Sequence, residues 1–193
     1  MGKQNKMKLN KLETYESWNL EKPNILSPSR LYALAAVGVG TPYAESLTSY
    51  IARLADTHVV TTGILVHSEL APFLKEEDTS QSKNGGIDQI FFHHTRIIDR
   101  IETGVIKLIY ALESLTLPNE LKFLTMLNWA ERIPKLIFLD SVRAWCPICY
   151  ENWHINQQII YEPLLWSLKK VKVCVHHNQH LYTKCPYSQR ENK

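Results

Sequence analysis

The first strongly periodic stretch of the chain runs from Ala44 to Asp56. Its apolar residues recur at the spacing of one helical face, which predicts an amphipathic helix: Leu47, Tyr50, Ile51, Leu54 and Ala55. A second apolar stretch continues toward Leu70, and either Thr61 or Thr62 is placed to cap a helix at its start. Two helices joined by a tight connection predict a helix-turn-helix-like unit.

The flanking segments extend this helical domain, which we assign to residues 29–133. Before it, residues 1–28 are polar and contain prolines, which is typical of an extended arm. Residues 30–39 predict a short extended segment. Apolar spacing predicts further helices from about 100 to 114 and from 118 to about 129.

The C-terminal third carries the clearest chemical motif, Cys146-Pro-Ile-Cys149 followed by Cys174-Val-His-His177. Three thiolates and an imidazole complete a tetrahedral zinc shell, and a shell made only of protein ligands is structural, because a catalytic zinc keeps an open position. His177 is the preferred fourth ligand because its two-residue spacer from Cys174 lets both side chains face one ion. His176 and His180 remain alternatives.

The motif predicts that residues 134–193 form a zinc-ribbon-like module with a small sheet. Tryptophans near the ligands are expected to cover the metal and connect the module to the helices: Trp145, Trp153 and Trp166. The expected fold is therefore mainly α, with a helix-turn-helix-like domain followed by a C-terminal zinc-finger domain that holds one structural zinc ion.

Composition agrees with a folded intracellular protein. The chain is 45% hydrophobic and 21% charged, which is typical of globular proteins. Its N-terminus has no apolar signal core and no segment is apolar enough to span a membrane, so we expect a reducing cytoplasm. In that compartment a Cys-x-x-C pair binds metal more often than it forms a disulfide.

The formal net charge is only +3, which permits nucleic-acid contact without requiring it. Basic side chains that could contact a partner or a nucleic acid lie in the first helix and around the metal motif, although solvated surface also explains them: Arg53, Arg143, Lys169, Lys170, Lys172 and Lys184. We also expect partner contacts from the exposed side of the segment 45–53 and from the polar loop 75–86. The second helix lacks exposed Arg and Lys near its centre, which disfavours base reading.

Three patterns in this order resemble the TniQ family of transposon target-selection proteins. The first is Gly40-Thr41-Pro42-Tyr43-Ala44-Glu45-Ser46-Leu47 with Arg53-Leu54-Ala55, the second is Trp145-Cys146-Pro147-Ile148-Cys149, and the third is Cys174-Val175-His176-His177 with Cys185-Pro186. Members often carry a second cysteine in the last turn, where this chain has Ser188, so a second zinc site is not expected. Whether Lys193 is the natural terminus stays open.

The resemblance implies a non-enzymatic adaptor in the bacterial cytoplasm. Such an adaptor links a target-bound module, which is a CRISPR effector with guide RNA or target DNA, to the AAA+ ATPase regulator (TnsC) and so to the transposase. A homodimer is compatible with it. The residues agree insofar as they contain no nucleophile set, phosphate-binding glycine loop or nuclease carboxylate cluster. The alternative is a stand-alone zinc-containing helix-turn-helix DNA-binding regulator.

Overall fold

The computed structural model describes residues 28–75, 103–129 and 142–184. Within these ranges the protein is mainly helical with one two-stranded sheet, as predicted. The α-helices are α1 (Leu47–Thr57), α2 (Thr62–Leu65), α3 (Ala71–Lys75), α4 (Thr103–Thr116) and α5 (Pro147–Ile155); the strands are β1 (Val173–Cys174) and β2 (Gln179–His180). Among the helices of these ranges, none has the length and apolar character needed to cross a membrane.

Several predictions fall on residues outside these ranges. They concern the arm 1–28, except for its last residue, most of the polar loop 75–86, the domain boundary between 133 and 134, and the last turn with Cys185 and Ser188. All of them stay predictions.

Helix α1 confirms the predicted amphipathic helix and begins three residues later than the pattern suggested. Ser46 caps it, since the Ser46 hydroxyl accepts a hydrogen bond from the Ser49 backbone N–H at 3.2 Å. At the other end the Val60 N–H donates to the Ala55 carbonyl and the Val59 N–H to the Asp56 carbonyl. This is a Schellman motif, and it places Val59 at a positive φ of 56°.

The second predicted helix is present but has a π-helical centre. Thr61 caps α2 by accepting from the Ile64 N–H at 3.3 Å, and the π-helical turn Val66–Leu70 leads directly into α3. Ser68 donates to the Ile64 carbonyl within this turn. Helix, tight connection and helix therefore follow in the predicted order.

Helix α4 confirms the third predicted helix, but the predicted helix from 118 to 129 is wrong. Two 3₁₀ turns, Leu121–Leu124 and Met126–Trp129, stand in its place. Thr125 separates them because its backbone is extended, at φ −127° and ψ 169°, and its hydroxyl both donates to the Lys122 carbonyl and accepts from the Leu127 N–H. The Thr125 hydroxyl thus bonds to backbone groups that a continuous helix would pair with each other, and this interrupts the helix.

The helical unit has its own apolar core, to which α1, the α2–α3 segment, α4 and the first 3₁₀ turn contribute. Its fully buried members include Leu47, Tyr50, Ile51, Leu54, Leu70, Leu112, Leu121 and Leu124. The segment 30–39 is irregular rather than a strand, and it joins this core through Leu31. Gly38 turns the chain after it with φ 68°, where a Cβ would lie 2.6 Å from the Tyr43 carbonyl oxygen.

The C-terminal module consists of α5, a 3₁₀ turn at Leu164–Ser167 and the β1–β2 hairpin. The strands pair antiparallel, with Val173 opposite His180 and Cys174 opposite Gln179. An isolated bridge between Trp145 and Tyr182 fastens the chain before α5 to the chain after the hairpin. A Cys₃His cluster within it fits a zinc-finger module.

Candidate metal centre and its junction with the helical unit

Two local structures present the four candidate metal ligands. Cys146 is the N-cap of α5 and Cys149 lies in its first turn, where Pro147 fits because the first helical N–H has no intrahelical partner. Cys174 ends β1 and His177 lies in the turn before β2. The first ligand pair therefore opens a helix, and the second belongs to a hairpin.

The ligand atoms converge on one point. All four lie within 4.8 Å of one another, and the three sulfurs are buried. His177 Nδ1 is 3.5 Å from Cys146 Sγ, 3.4 Å from Cys149 Sγ and 3.6 Å from Cys174 Sγ. Cys149 and Cys174 Sγ are 3.6 Å apart, far beyond the ~2.05 Å of a disulfide.

These separations fit a tetrahedral ion. Zinc–sulfur bonds of about 2.3 Å and a zinc–nitrogen bond of about 2.0 Å place sulfurs roughly 3.8 Å apart and sulfur and nitrogen roughly 3.5 Å apart. Four of the six spacings, at 3.4–3.6 Å, lie close to these values, and the two from Cys146 Sγ to the other sulfurs are within 4.8 Å. The site can hold one metal ion with four protein donors.

The electrostatics of the thiols favour occupation by a cation. Burial raises the pKa of Cys149, and its proximity to Cys174 and Cys146 raises it further. Burial also acts to raise the pKa of Cys174, but the backbone N–H groups of His177 and His176 donate to its sulfur and lower the pKa overall. Burial and the neighbouring thiols thus disfavour a thiolate at Cys149, and a bound cation would offset that cost.

The neighbouring histidines lie outside the cluster. His176 stacks its ring on Tyr43, with centroids 4.4 Å apart, and His180 is an exposed residue of β2. His58, which closes α1, accepts a hydrogen bond from the Tyr32 N–H at 3.1 Å. Of these alternatives, the structure brings only His177 to the three cysteines.

Aromatic rings surround the cluster as predicted. Trp166 is buried with the three cysteines, and Trp145 and Trp153 pack against them. Trp153 stacks on Tyr161 at 4.8 Å and on Trp166 at 6.0 Å between centroids. The module core thus consists of metal ligands and aromatic side chains, with few aliphatic residues to stabilise it alone.

A short backbone ladder joins the module to the start of α1. The Ser46 N–H donates to the Glu162 carbonyl at 2.9 Å, and the Leu164 N–H donates to the Ala44 carbonyl at 2.8 Å. The Glu162 N–H donates to the Ser49 hydroxyl at 3.0 Å. This junction fixes the chain after α5 against the N-terminal turn of α1.

Glu45 lies beneath the junction and is 0% exposed, so it does not belong to the exposed side of the segment 45–53, whose partner contacts stay a prediction. Arg53 forms a fork on its carboxylate, with Nε 2.7 Å from Oε1 and Nη2 2.7 Å from Oε2. Ser49 Oγ donates to Oε1 at 2.9 Å and the Val37 N–H to Oε2 at 3.3 Å. The carboxylate needs these donors because burial removes its hydration.

Arg53 therefore has a part inside the fold. Its side chain is 15% exposed, and its Nη2 also donates to the Ala35 carbonyl at 3.0 Å. The guanidinium is committed to Glu45 and to the segment 30–39, and its predicted contact with a partner stays a prediction.

Arg143 pairs with Glu162 at 3.1 Å, and both side chains are partly exposed. Burial raises the pKa of Glu162, Arg143 and a hydrogen bond from Tyr150 act to lower it, and the charge of Glu45 raises it; the net shift is upward. Burial likewise raises the pKa of Tyr150. The positive charge of Arg143 is therefore partly neutralised by Glu162.

The remaining predicted contact residues are exposed. Lys169 and Lys170 follow the 3₁₀ turn of the module, Lys172 precedes β1, and Lys184 follows the hairpin. Lys172 and Lys184 interact with other groups of the protein. A contact role for any of the four stays a prediction.

Sequence reasoning missed the organising roles of Glu45, Ser49 and Glu162. The only local signal was an acidic residue directly before a helix N-cap with an arginine eight positions later. That spacing suggests a pair across two helical turns, but it does not reveal that a distant segment would cover the carboxylate.

Comparison with protein families gives a match to TniQ over residues 36–181, most of the chain. The match includes the Glu45–Arg53 pair, the junction and all four candidate ligands. Comparison with curated proteins gives no match. TniQ implies a role in target selection for transposition, and it is a family of non-catalytic adaptors. The chain belongs to the TniQ family.

Proposed function

We propose that this protein is a non-enzymatic adaptor that connects a target-bound module to a AAA+ transposition regulator (TnsC), and through it to the transposase. The family match across 36–181 carries the proposal, because it covers the helical unit and the metal module together. The target-bound module is a CRISPR effector with guide RNA, or target DNA itself, and the site of action is the bacterial cytoplasm.

The metal site in this proposal holds one structural zinc ion. Its donors are Cys146, Cys149, Cys174 and His177, and a four-donor protein shell leaves no position for a substrate or an activated water. Zinc would supply folding free energy to a module whose core is built of its own ligands. The ion shapes a surface and performs no reaction.

The contact surface we propose is the basic edge of the module, formed by Lys169, Lys170, Lys172 and Lys184. These lysines are exposed and lie within a short stretch around the hairpin, so their charges add in one region of the surface. Such an edge suits a nucleic acid or an acidic protein face.

The alternative of a stand-alone DNA-binding regulator has less support. From Thr62 to Lys75, the second helical segment of the helix-turn-helix-like unit carries Lys75 as its sole Arg or Lys, and its exposed side chains include Ile64, His67 and Ser68. Specific base contacts are made most often by Arg and Lys, and phosphate neutralisation requires them. A protein partner suits this segment better.

Co-purification tests the adaptor function directly. The tagged chain is expressed with the AAA+ regulator and target module of the same transposon, and we expect both to be retained at physiological salt. Lys169→Glu is compared with Lys122→Glu, which makes the same charge change on an exposed lysine of the helical unit. We expect only Lys169→Glu to weaken retention.

Two results would overturn the proposal. One is retention of neither component by a correctly folded, zinc-loaded chain. The other is tight, strongly salt-dependent binding of duplex DNA by the isolated chain without either component, which would establish the regulator instead.

A further inference from the structure

The ring of His177 makes a second contact on the side away from the sulfurs. Its Nδ1 faces all three cysteines, and its Nε2 lies 3.1 Å from Nδ2 of the Asn152 side-chain amide, whose nitrogen and oxygen exchange places when the amide turns by 180°. Asn152 belongs to α5, three residues after the ligand Cys149. Residues at this spacing share a helical face, so one helix presents both a ligand and the group behind another ligand.

The chemistry of imidazole defines what Asn152 must do. If Nδ1 donates its lone pair to a metal ion, the neutral ring carries its proton on Nε2. An Nε2–H needs an acceptor, and an asparagine amide offers one through Oδ1 when it turns its oxygen toward the ring. With Oδ1 toward the ring, Asn152 accepts from the Nε2–H of the tautomer that leaves Nδ1 free for the metal. With Nδ2 toward the ring it would donate to the other tautomer, whose protonated Nδ1 cannot bind a metal.

The helix fixes the backbone position from which the Asn152 side chain extends. The Asn152 carbonyl accepts from the Asn156 N–H at 3.0 Å and from the Asn156 side-chain amide at 2.8 Å, which secures the last turn of α5. The His177 ring is only partly buried and lies in a turn between two short strands, and its orientation needs restraint beyond its ring contact with the exposed His176, at 6.3 Å between centroids. A fixed acceptor on α5 supplies that restraint.

We propose that Asn152 is a positioning residue that holds His177 as an Nδ1 ligand by accepting a hydrogen bond from its Nε2–H. Acceptors behind metal-bound histidines fix the tautomer and the ring orientation, and their loss usually costs about 10- to 100-fold in metal affinity. The inference rests on the proposed zinc site and adds a residue that does not touch the metal.

Zinc affinity, measured by competition with a chromophoric chelator, tests this role. We expect Asn152→Ala to weaken zinc binding by about 10- to 100-fold and Asn152→Asp to restore it, because a carboxylate also accepts from Nε2–H. Asn156→Ala is the matched control: it keeps the backbone N–H bond from position 156 to the Asn152 carbonyl and removes only a side chain that does not face His177. Its affinity should therefore stay within about threefold of the unaltered protein.

A double-variant cycle separates positioning from a general effect on the fold. In a His177→Cys background the fourth donor has no second nitrogen to orient, so we expect Asn152→Ala to leave zinc affinity unchanged there. The cobalt-substituted proteins provide a second readout, since loss of the nitrogen donor shifts the visible ligand-field bands of Asn152→Ala but not those of Asn156→Ala.

An Asn152→Ala affinity equal to that of the unaltered protein would overturn the inference, as would an equal loss in the His177→Cys background. If the unaltered protein itself binds no zinc, the proposed metal site fails first and the inference with it. The two failures are distinguished by the unaltered protein alone.

Discussion

Replacing Arg53 with alanine should strongly destabilise the helical unit. Arg53 supplies two of the four hydrogen bonds that the Glu45 carboxylate accepts. Glu45 is fully buried, so water cannot take the place of the lost donors. In the variant the Glu45 carboxylate keeps only the Ser49 hydroxyl at 2.9 Å and the Val37 N–H at 3.3 Å as donors.

The expected magnitude follows from that geometry. Removing one partner of a buried, hydrogen-bonded ion pair costs about 3–5 kcal/mol, most of it the cost of the unpaired charge. The pair here is bidentate at 2.7 Å on both branches, which places it among the stronger charge-assisted bonds. With a urea m-value of about 2 kcal/mol/M, a loss of 4 kcal/mol lowers the unfolding midpoint by about 2 M.

The assay is urea unfolding followed by far-ultraviolet circular dichroism with zinc present, on the unaltered protein and three variants. Arg53→Lys keeps the charge but cannot form the fork, so its loss should be intermediate. In the double variant Glu45→Gln with Arg53→Ala the buried charge is removed as well, and part of the stability should return. Lys122→Ala is the control for loss of a cation at an exposed site; because Lys122 lies over the Phe123 ring at 5.2 Å, we expect a change of at most about 1 kcal/mol.

A loss below about 1 kcal/mol for Arg53→Ala would refute the reasoning, because such a value is typical of an exposed ion pair. A double variant less stable than Arg53→Ala would also contradict it, since the buried charge would then not be the source of the loss. Either result would mean that the Arg53 guanidinium is not required for stability and is available to contact a partner.

Three further outcomes follow from the structure. Val59 is 92% exposed and has a positive φ, a conformation that asparagine adopts more easily than a β-branched residue. Val59→Asn should therefore raise the free energy of unfolding by about 1 kcal/mol in urea unfolding, and a destabilised variant would contradict this. Because burial raises the folded-state pKa of Glu162, stability falls as pH rises from the ordinary carboxyl pKa through the raised one. The Glu162→Gln variant should not show this fall in stability with rising pH. Equal pH profiles of stability for the variant and the unaltered protein would contradict the prediction. Chelation of the metal should abolish the near-ultraviolet dichroism of the module while the helical signal largely persists, and unchanged tryptophan spectra in protein shown to be metal-free would contradict the zinc-dependent core.

Sequence periodicity predicted α1 because a single property, the apolar face, decides its existence. The region after Pro118 shows where that reasoning fails. Leu121, Leu124 and Leu127 keep helical spacing, yet Thr125 interrupts the helix by bonding to the backbone on both sides. The spacing of apolar residues indicates which residues are buried. Because 3₁₀ turns place residues i and i+3 on one face, they bury the same residues as an α-helix, and the spacing does not distinguish the two.

The candidate metal ligands could be predicted for a similar reason. Thiolates and imidazole in two short motifs have few other uses in a reducing compartment, so residue type and spacing sufficed. Glu45 carries no such signal. An acidic residue next to a helix start is usually solvated, and its burial depends on the chain near Glu162, more than a hundred residues away. Long-range burial of a single charge is not encoded in any local pattern.

The junction gives the TniQ patterns a common physical basis. The Glu45–Arg53 pair orders the start of α1, Ser49 contacts both the Glu45 carboxylate and the Glu162 N–H, and the chain that carries Glu162 connects α5 to the ligand hairpin. The large helical core contains no residue of the module, and a small separate cluster packs Met126 of the helical unit against Leu164 and Leu168 of the module. We therefore expect loss of the metal to unfold the module while the large helical core persists. Loss of Arg53, in contrast, perturbs the surface to which the module is attached. A partner-binding defect in an Arg53 variant therefore counts as evidence for direct contact only if the same variant keeps the stability of the unaltered protein, whereas a defect at Lys169 can be interpreted as a contact directly.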